Sequence, residues 1–354
     1  MLLNTNKSAV ILGSGIAGLT AAKMLSQNGL DVTVIEQSPK VGGHVADWSC
    51  KATSECQVCH CCSLSDALAS IDDLPVRILA GSELDAIMRD PEGKLSAVKV
   101  FTGETGAIRE IQADALVLST GFESFDPREK ILWGYGTIPG VLTLADLDDI
   151  FRNERLDEFA SASDRFRIAF FQCVGSRDKS VGANYCSQYC CKAALRSAIK
   201  IGTLKPEWDI TIFYIDLQVA GKYAESLLRE AERIGINLAQ GVPGEISMAE
   251  NDTLSVIHER DGLNVTDRFD RIILSAGMRP GSSSSILSQI TGVQLNDFGF
   301  FLNRSVTDRS RTSVQGVYLA GCCAGPMDIE TTMLSASSAA ADVICDLSSR
   351  PKGS

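Results

Sequence analysis

The apolar run beginning at Ser8, SAVIL, leads straight into Gly13-Ser14-Gly15-Ile16-Ala17-Gly18 and then into LTAAKMLSQNG, and nothing else in the chain restricts its fold as tightly. Apolar run, glycine-dense turn and longer helix-forming run predict strand, turn and helix, the opening of a βαβ unit. A second strand, DVTVIE, ends at Glu36, 18 residues after Gly18. In such a unit the glycines let the backbone approach a pyrophosphate, and the helix N-terminus offers free N–H groups. A carboxylate at this spacing accepts from a ribose hydroxyl pair. A turn made only for packing needs neither the whole glycine set nor the acid, so the segment is expected to bind a dinucleotide through Gly13, Ser14, Gly15, Ala17, Gly18 and Glu36.

Cysteine supplies the second constraint. The chain has 354 residues and twelve cysteines: five in Cys50–Cys62, four in Cys173–Cys191, the adjacent Cys322 and Cys323, and a solitary Cys345. The start, MLLNTNKSAV, has no basic region followed by a long apolar core and cleavage site, so a cytoplasmic setting is expected, where thiols stay reduced. The cysteines then read as metal ligands or redox groups rather than as a disulfide framework. Only three histidines are present, His44, His60 and His258, which makes all-thiolate iron–sulfur chemistry the leading expectation over mixed zinc sites. With 33 basic and 44 acidic residues, a net charge of −11 and no basic block, nucleic-acid binding is not expected. No apolar run reaches the ~18 residues of a membrane span.

The residues after Glu36 narrow the dinucleotide. Gln37 to His44 reads QSPKVGGH, and its Gly42-Gly43 pair resembles the extended fingerprint of the two-dinucleotide-domain FAD flavoproteins. Asp114–Gly121, DALVLSTG, is similar to the strand whose Thr120-Gly121 end passes the cofactor in that family, and Gly316–Gly321, GVYLAG, to the late strand ending at the ribityl chain. The resemblance implies FAD, held also by Gln37, Gly42, Gly43, His44, Thr120, Gly121, Gly321, Cys322, Asp328 and Ile329. Cys322 is a departure, since that family commonly has an aspartate there. The stretch after Cys323 predicts a helix with Pro326 in its first turn and Asp328 and Glu330 close behind. In the resembling proteins its N-terminus faces the flavin. The expected fold class is α/β, a thioredoxin-reductase-like flavoprotein with two dinucleotide-binding domains. A discontinuous FAD domain is assigned to residues 1–140 and 283–354, and an NAD(P)H-domain-like region to 141–282.

That middle region reads as strand RFRIAFF, a cysteine-rich loop and helix, strand DITIFYID, helix KYAESLLREAERIG and strand RIILSAG. After its first strand comes Cys173-Val174-Gly175-Ser176 instead of a glycine cradle, so the usual nicotinamide site is not expected. Cys173, Cys186, Cys190 and Cys191 form the pattern C-x12-C-x3-CC, the ligand count of one [4Fe–4S] cluster. Neighbouring residues on a helix point ~100° apart, so Cys190 and Cys191 can share a cluster only at a helix start or in irregular backbone. A four-cysteine zinc site and buried structural thiols are the alternatives.

The run CVGSRDKSVGANYCSQYCCKAALRSAIK, with AGKYAESLLRE and GVYLAGCCAGPMDIETTMLSASSAAA, resembles the A subunit of heterodisulfide reductase. The resemblance implies FAD on a thioredoxin-reductase-like core, with a [4Fe–4S] cluster on Cys173, Cys186, Cys190 and Cys191 in place of an NADPH site. The length is closest to the short A subunit of the heterodisulfide-reductase-like complex of sulfur-oxidising prokaryotes, with the A subunit of the quinone-interacting membrane-bound oxidoreductase complex as runner-up. It further implies partner subunits, a homodimer, and electron transfer in oxidative sulfur metabolism. The competing readings are a self-contained NAD(P)H-dependent flavin disulfide reductase and a mainly structural subunit. Arg196 is expected either near the flavin or as a solvated helix residue.

Cys50, Cys56, Cys59, Cys61 and Cys62 leave three readings open: a second iron–sulfur cluster, a thiol, disulfide or persulfide relay beside the flavin, or packing. His60 is not assigned. Cys322 and Cys323 either tune the flavin or pack, and Cys345 is expected to be a buried small hydrophobe.

Overall fold

The computed structural model describes residues 7–103, 106–160 and 165–348. The chain forms two units, the first from residues 1–46, 60–123 and 280–354, the second from 47–59 and 124–279; the termini and two short internal stretches of these spans lie outside the described residues.

In the first unit the strand–turn–helix reading takes form as Ser8–Leu12 and Ile16–Gln27, followed by the strand Asp31–Ile35. The helix has Gly15 at its start and no side-chain cap, which leaves its first N–H groups to a ligand. Five parallel strands stand in the order Val317–Leu319, Ala115–Leu118, Ser8–Leu12, Asp31–Ile35, Val76–Leu79. Ser8–Leu12 therefore lies where the strand order reverses, and the crevice beyond its carboxyl end is the ligand position of such sheets. On one face, Ala17, Ala21 and Ala22 of the first helix and Ala336, Ala339 and Ala340 of the last pack against Ile11, Val32 and Val117; methyl-sized side chains permit that close approach. On the other, Val10, Leu12, Leu116 and Leu118 join Leu84, Val98 and Val100 of a three-stranded antiparallel sheet, Ser82–Arg89, Leu95–Thr102 and Ala107–Gln112. Each such aliphatic side chain contributes about 1.5–3 kcal/mol on burial.

Two expectations are corrected here. The last helix runs Ile329–Ser348, so Pro326 stands ahead of it rather than in its first turn. A 3-10 turn, Gly321–Ala324, intervenes, and Asp328 caps the helix by accepting from Thr331 N at 2.9 Å. Cys345 is exposed, not buried: the helix buries Ala336, Ala339, Ala340, Val343 and Leu347, and position 345 falls off that stripe.

The second unit is built around another parallel sheet, in the order Asn237–Gln240, Asp209–Tyr214, Arg167–Val174, Arg271–Ala276, Val141–Thr143. Arg167–Val174 again lies where the strand order reverses, and the helix following it is Cys190–Leu204. A three-stranded antiparallel sheet, Ile246–Met248, Leu254–Arg260 and Leu263–Phe269, adds Ile246, Leu254, Val256 and Phe269 to a core with Phe171 and Phe213.

The unit boundaries differ from the sequence assignment at three places. Residues 124–140 belong to the second unit because Phe125 and Trp133 join its aromatic core and Trp133 Nε1 donates to Gly244 O at 2.7 Å. Residues 280–282 belong to the first, where Ser282 N donates to Glu123 Oε1 at 2.9 Å. Residues 47–59 leave the first unit altogether, held in the second through Asp148, Arg196 and Lys200.

Candidate functional site

The glycine turn of the first unit shows what each of its glycines is for. A Cβ on Gly18 would stand 1.9 Å from Gly13 O, and one on Gly13 2.5 Å from Ser119 O, where φ is also +100°. Both positions bring the helix and two strand ends together. Gly15 is different: a Cβ there would meet nothing within 4 Å, so its lack of a side chain leaves a space open instead of relieving a clash. The second glycine pair closes on the same turn. Gly42 N donates to Ser14 O at 3.1 Å, and a Cβ on Gly43 would lie 3.1 Å from Gly15 Cα.

Glu36 is buried, and its charge is met by three donors. Ser14 N and Ser14 Oγ each donate to Oε2 at 2.8 Å, and Ser38 N donates to Oε1 at 2.8 Å. A carboxylate has about four acceptor positions, so one remains for a hydroxyl. Ala17 is buried, 2.8 Å from the point where Gly321 would carry a Cβ, which brings the late strand to the glycine turn. Thr120 Oγ1 is buried without a hydrogen-bond partner, and Gly121 opens on space at φ +69°. A buried hydroxyl left unmatched is costly, and a polar cofactor atom would satisfy it.

Other predicted positions are engaged within the protein. His44 stacks on Phe122 with ring centroids 4.3 Å apart and donates from Nε2 to Phe122 O at 2.8 Å. Gln37 is exposed. Gly321 N donates to Ser335 Oγ at 3.0 Å, and the Cys322 thiol lies 3.5 Å from both Met327 O and Thr332 Oγ1. Asp328 caps the helix whose first residue is the buried Ile329. Cys323 belongs to the core; burial pushes its thiol up to about 12, and it donates to Leu118 O at 3.1 Å. Ser119, which sequence reasoning missed, donates from Oγ to Leu12 O at 2.7 Å and so ties two strand ends; its only sequence signal is its place beside Thr120.

In the second unit the four-cysteine motif lies at the carboxyl end of the central strand and the start of the next helix. Cys190 and Cys191 occupy the first helical turn, the backbone setting in which adjacent residues can turn to one site. Cys173 has φ +60° and Gln188 φ +61°, so the loop is held in conformations that non-glycine residues seldom adopt. Gly175, at φ +71°, faces Phe125, whose ring atoms would stand 2.0 Å from a Cβ. Burial, then the charge of Cys191, pushes the Cys173 thiol up to about 11. Cys190 is raised well above the ordinary thiol value by burial and then by Cys191, Cys173 and Cys186. The four sulfurs are thus within electrostatic reach of one another. Among the described residues, no three His, Cys, Asp or Glu side chains close on a point for a single metal ion.

The segment 47–59 lies against the cysteine helix of the same unit. Arg196 is half-buried rather than solvated and grips this segment: Nε donates to Gln57 O at 3.0 Å and Nη2 to Val58 O at 2.9 Å. Lys200 Nζ donates to Cys50 O at 2.8 Å. Ser49 N and Oγ donate to Asp148 Oδ1 at 2.9 and 2.6 Å, and the buried Lys51 ammonium pairs with the same carboxylate. Cys50 and Cys56 are exposed and Cys59 half-buried, while His60, Cys61 and Cys62 belong to the first unit. No signal in the sequence points to Asp148.

The sequence pattern of the family described as pyridine nucleotide-disulphide oxidoreductase matches residues 7–341. The A subunit of the H(2):CoB-CoM heterodisulfide,ferredoxin reductase of Methanothermobacter thermautotrophicus is 33% identical over 241 residues, 66% of this chain and 37% of the relative. The iron-sulfur A subunit of the CoB--CoM heterodisulfide reductase of Methanocaldococcus jannaschii is 26% identical, covering 97% of this chain and 64% of its own length. The chain is thus consistently similar to heterodisulfide reductase A subunits of methanogenic archaea, and spans less than two thirds of their length. The T. acidophilum thioredoxin reductase superposes with a TM-score of 0.61 at 16% identity, over 97% of this chain and 100% of that one. The fold is therefore the two-domain thioredoxin-reductase-like fold of FAD- and NAD(P)-binding flavoproteins. Among the described residues no helix is long and apolar enough to cross a membrane.

Proposed function

The chain belongs to the pyridine nucleotide-disulphide oxidoreductase family, and on that footing we propose that it is the FAD- and [4Fe–4S]-carrying electron-transfer subunit of a heterodisulfide-reductase-like complex. It is an oxidoreductase subunit related to heterodisulfide reductase A. The observation that carries the finer reading is the gathering of Cys173, Cys186, Cys190 and Cys191 beyond the central strand of the second parallel sheet, where a nicotinamide-binding unit has its glycine cradle.

The residues fit both groups. In the first unit, the open space at Gly15, the unmatched Thr120 hydroxyl and the remaining acceptor position of Glu36 suit a dinucleotide. Gly13, Ser14, Gly18, Gly42 and Gly43 would shape the pyrophosphate turn, Glu36 would accept from the ribose, and Gly121, Gly321 and the Ile329 helix start would border the flavin end. In the second unit an all-sulfur donor set in irregular backbone suits a cluster, whose four irons each take their own thiolate. FAD supplies two-electron and the cluster one-electron chemistry when bound. The chain's own part is to hold Cys190 and Cys191 on one rigid helical turn and to keep Cys190 out of water.

The reading extends to a cytoplasmic complex with partner subunits and a second copy of this chain, acting in the oxidation of sulfur carried as thiol or persulfide, with the thiol chemistry on a partner. The consistent similarity to A subunits of heterodisulfide reductases supports the partner subunits. Iron and acid-labile sulfide per FAD, with EPR of the reduced protein, test it: at least about four irons are expected, and Cys186→Ser should abolish the corresponding signal while FAD is retained. Zinc without iron overturns the reading. Prompt flavin bleaching on anaerobic mixing with NADPH would instead support a self-contained NAD(P)H-dependent reductase.

A further inference from the structure

The two parallel sheets carry the same signature on the strand beside their central one: DALVLSTG at 114–121 in the first unit and DRIILSAG at 270–277 in the second. The likeness extends to their contacts. Asp114 Oδ2 accepts from Ser8 N at 3.0 Å and Asp270 Oδ2 from Arg167 N at 2.7 Å, each at the first residue of the central strand. Leu118 stands opposite Leu12, and Leu274 opposite Phe171. Gln172 therefore occupies the position that Gly13 has in the first unit, and Ser275 that of Ser119.

At these two positions the units part. In the first, Ser119 Oγ donates to Leu12 O at 2.7 Å, with a glycine beside it. In the second, the register shifts between Phe171 and Val174, with Cys173 at φ +60° inside the shift, and Ser275 Oγ has no hydrogen-bond partner. Gln172 Oε1 and Nε2 have none either. The two residues are 4% and 0% exposed, and unmatched polar atoms at such depth are costly.

Alternation along the strands puts both side chains on one face. Phe170 and Ile273, two residues earlier on each strand, share a core with Ala194, Leu195 and Ala198 of the Cys190–Leu204 helix. That helix starts at the carboxyl ends of the strands, where Tyr189 Oη donates to Ala276 O at 2.6 Å. Gln172 and Ser275 thus lie toward its first turn, which carries Cys190 and Cys191. Cys173 follows Gln172 in the chain, and Cys190 Sγ is 3.9 Å from the carbonyl oxygen of Ala276, next to Ser275. The unmatched atoms border the four-cysteine motif from its buried side. With cysteines where the first unit has its glycine cradle, the acceptor that this place offers is sulfur.

We propose that the Gln172 amide and the Ser275 hydroxyl donate to the sulfur of the iron–sulfur cluster and raise its midpoint potential. The inference rests on the reading of Cys173, Cys186, Cys190 and Cys191 as cluster ligands. Glutamine brings two N–H donors and serine one O–H. Hydrogen bonds to cluster sulfur set its potential, and they favour the reduced form because it carries more negative charge.

The test uses the full chain, purified anaerobically with FAD and iron, and reads the cluster's midpoint potential by EPR-monitored titration. Gln172→Met keeps the length of the side chain, and Ser275→Ala removes one oxygen. Each should shift the reduction equilibrium about tenfold against the reduced form, about 59 mV more negative for one electron, with iron, FAD content and circular dichroism unchanged. Neither side chain has a partner in the protein to leave unsatisfied, so both variants should fold; if Gln172→Met does not, Ser275→Ala carries the test alone. Equilibria within about twofold of the wild type, in a protein that keeps about four irons, overturn this proposal and leave the proposed function intact. A wild-type chain that binds no iron overturns both.

Discussion

Replacing Asp148 by alanine strands the Lys51 ammonium in the second unit. The side chains of the pair are 7% and 11% exposed, and the carboxylate also accepts from Ser49 N and Ser49 Oγ at 2.9 and 2.6 Å. Removing one partner of a buried pair costs about 3–5 kcal/mol, largely because the other charge is left uncompensated. Here the loss falls on the attachment of residues 47–59, so it should appear as local opening of that segment. Lys51 itself is 5% exposed, which withholds it from trypsin until the segment detaches. When opening and closing are fast, cleavage after Lys51 follows the open population. At 1.4 kcal/mol per decade, Asp148→Ala should speed that cleavage about 100- to 4000-fold, read by mass spectrometry of timed digests. Asp148→Asn, which keeps acceptors for Ser49 but not the charge, should fall between. An increase below about tenfold for Asp148→Ala, with other cleavage sites unaltered, would falsify the view that this ion pair anchors the segment.

The glycines give a second prediction. Gly18→Ala, with its Cβ 1.9 Å from Gly13 O, should lower the thermal midpoint of the cofactor-free protein as well as FAD content. Gly15→Ala meets no protein atom and should leave that midpoint within about 1–2 °C while weakening FAD at least tenfold, as a cradle filled from the protein side requires; equal effects of the two changes would refute the distinction. A third concerns Arg311, whose Nε and Nη2 donate to Asp346 at 2.8 and 3.0 Å and whose Nη1 lies 2.9 Å from Asp342. The Arg311 hydrogen bond, above all, holds the Asp346 carboxyl below its usual range. A lowered folded value means that the stabilisation is present above about pH 4 and is lost as pH falls through the folded pKa. Asp346 is 37% exposed, so solvent screening limits the effect of Arg311→Ala to about 1 kcal/mol. Denaturation of variant and wild type at pH 7 and pH 3 should show that difference shrinking in acid, and in 1 M salt.

What could be read beforehand was what depends on neighbours in the chain. The Gly13–Gly18 turn, Glu36 and the strands flanking them are written in consecutive residues, and so is the requirement that Cys190 and Cys191 meet at a helix start. The features that escaped depend on residues far apart in sequence. Lys51 and Asp148 are 97 positions apart and Arg196 and Val58 138, so neither pair leaves a local pattern, and the assignment of 47–59 to the second unit went with them. The outward turn of Cys345 had a local cause but a weak signal, because a helix rich in alanine and serine gives small residues on every face and hides which stripe is buried. Pro326 was placed inside the last helix for a similar reason: proline at a first turn and proline just after a 3-10 turn look alike until the cap, here Asp328, is known.

The division into interleaved segments also orders events during synthesis. The second unit is complete once residue 279 has emerged, whereas the first still lacks the strand Val317–Leu319 that pairs with Ala115–Leu118. Residue 317 is 38 positions after residue 279, a delay of roughly 2–8 s at 5–20 residues per second. For that interval the ribosome carries a finished inserted unit and a half-closed one whose apolar sheet edge is still open, so the later-encoded fold matures first and the exposed, aggregation-prone edge belongs to the unit whose first strand was made earlier.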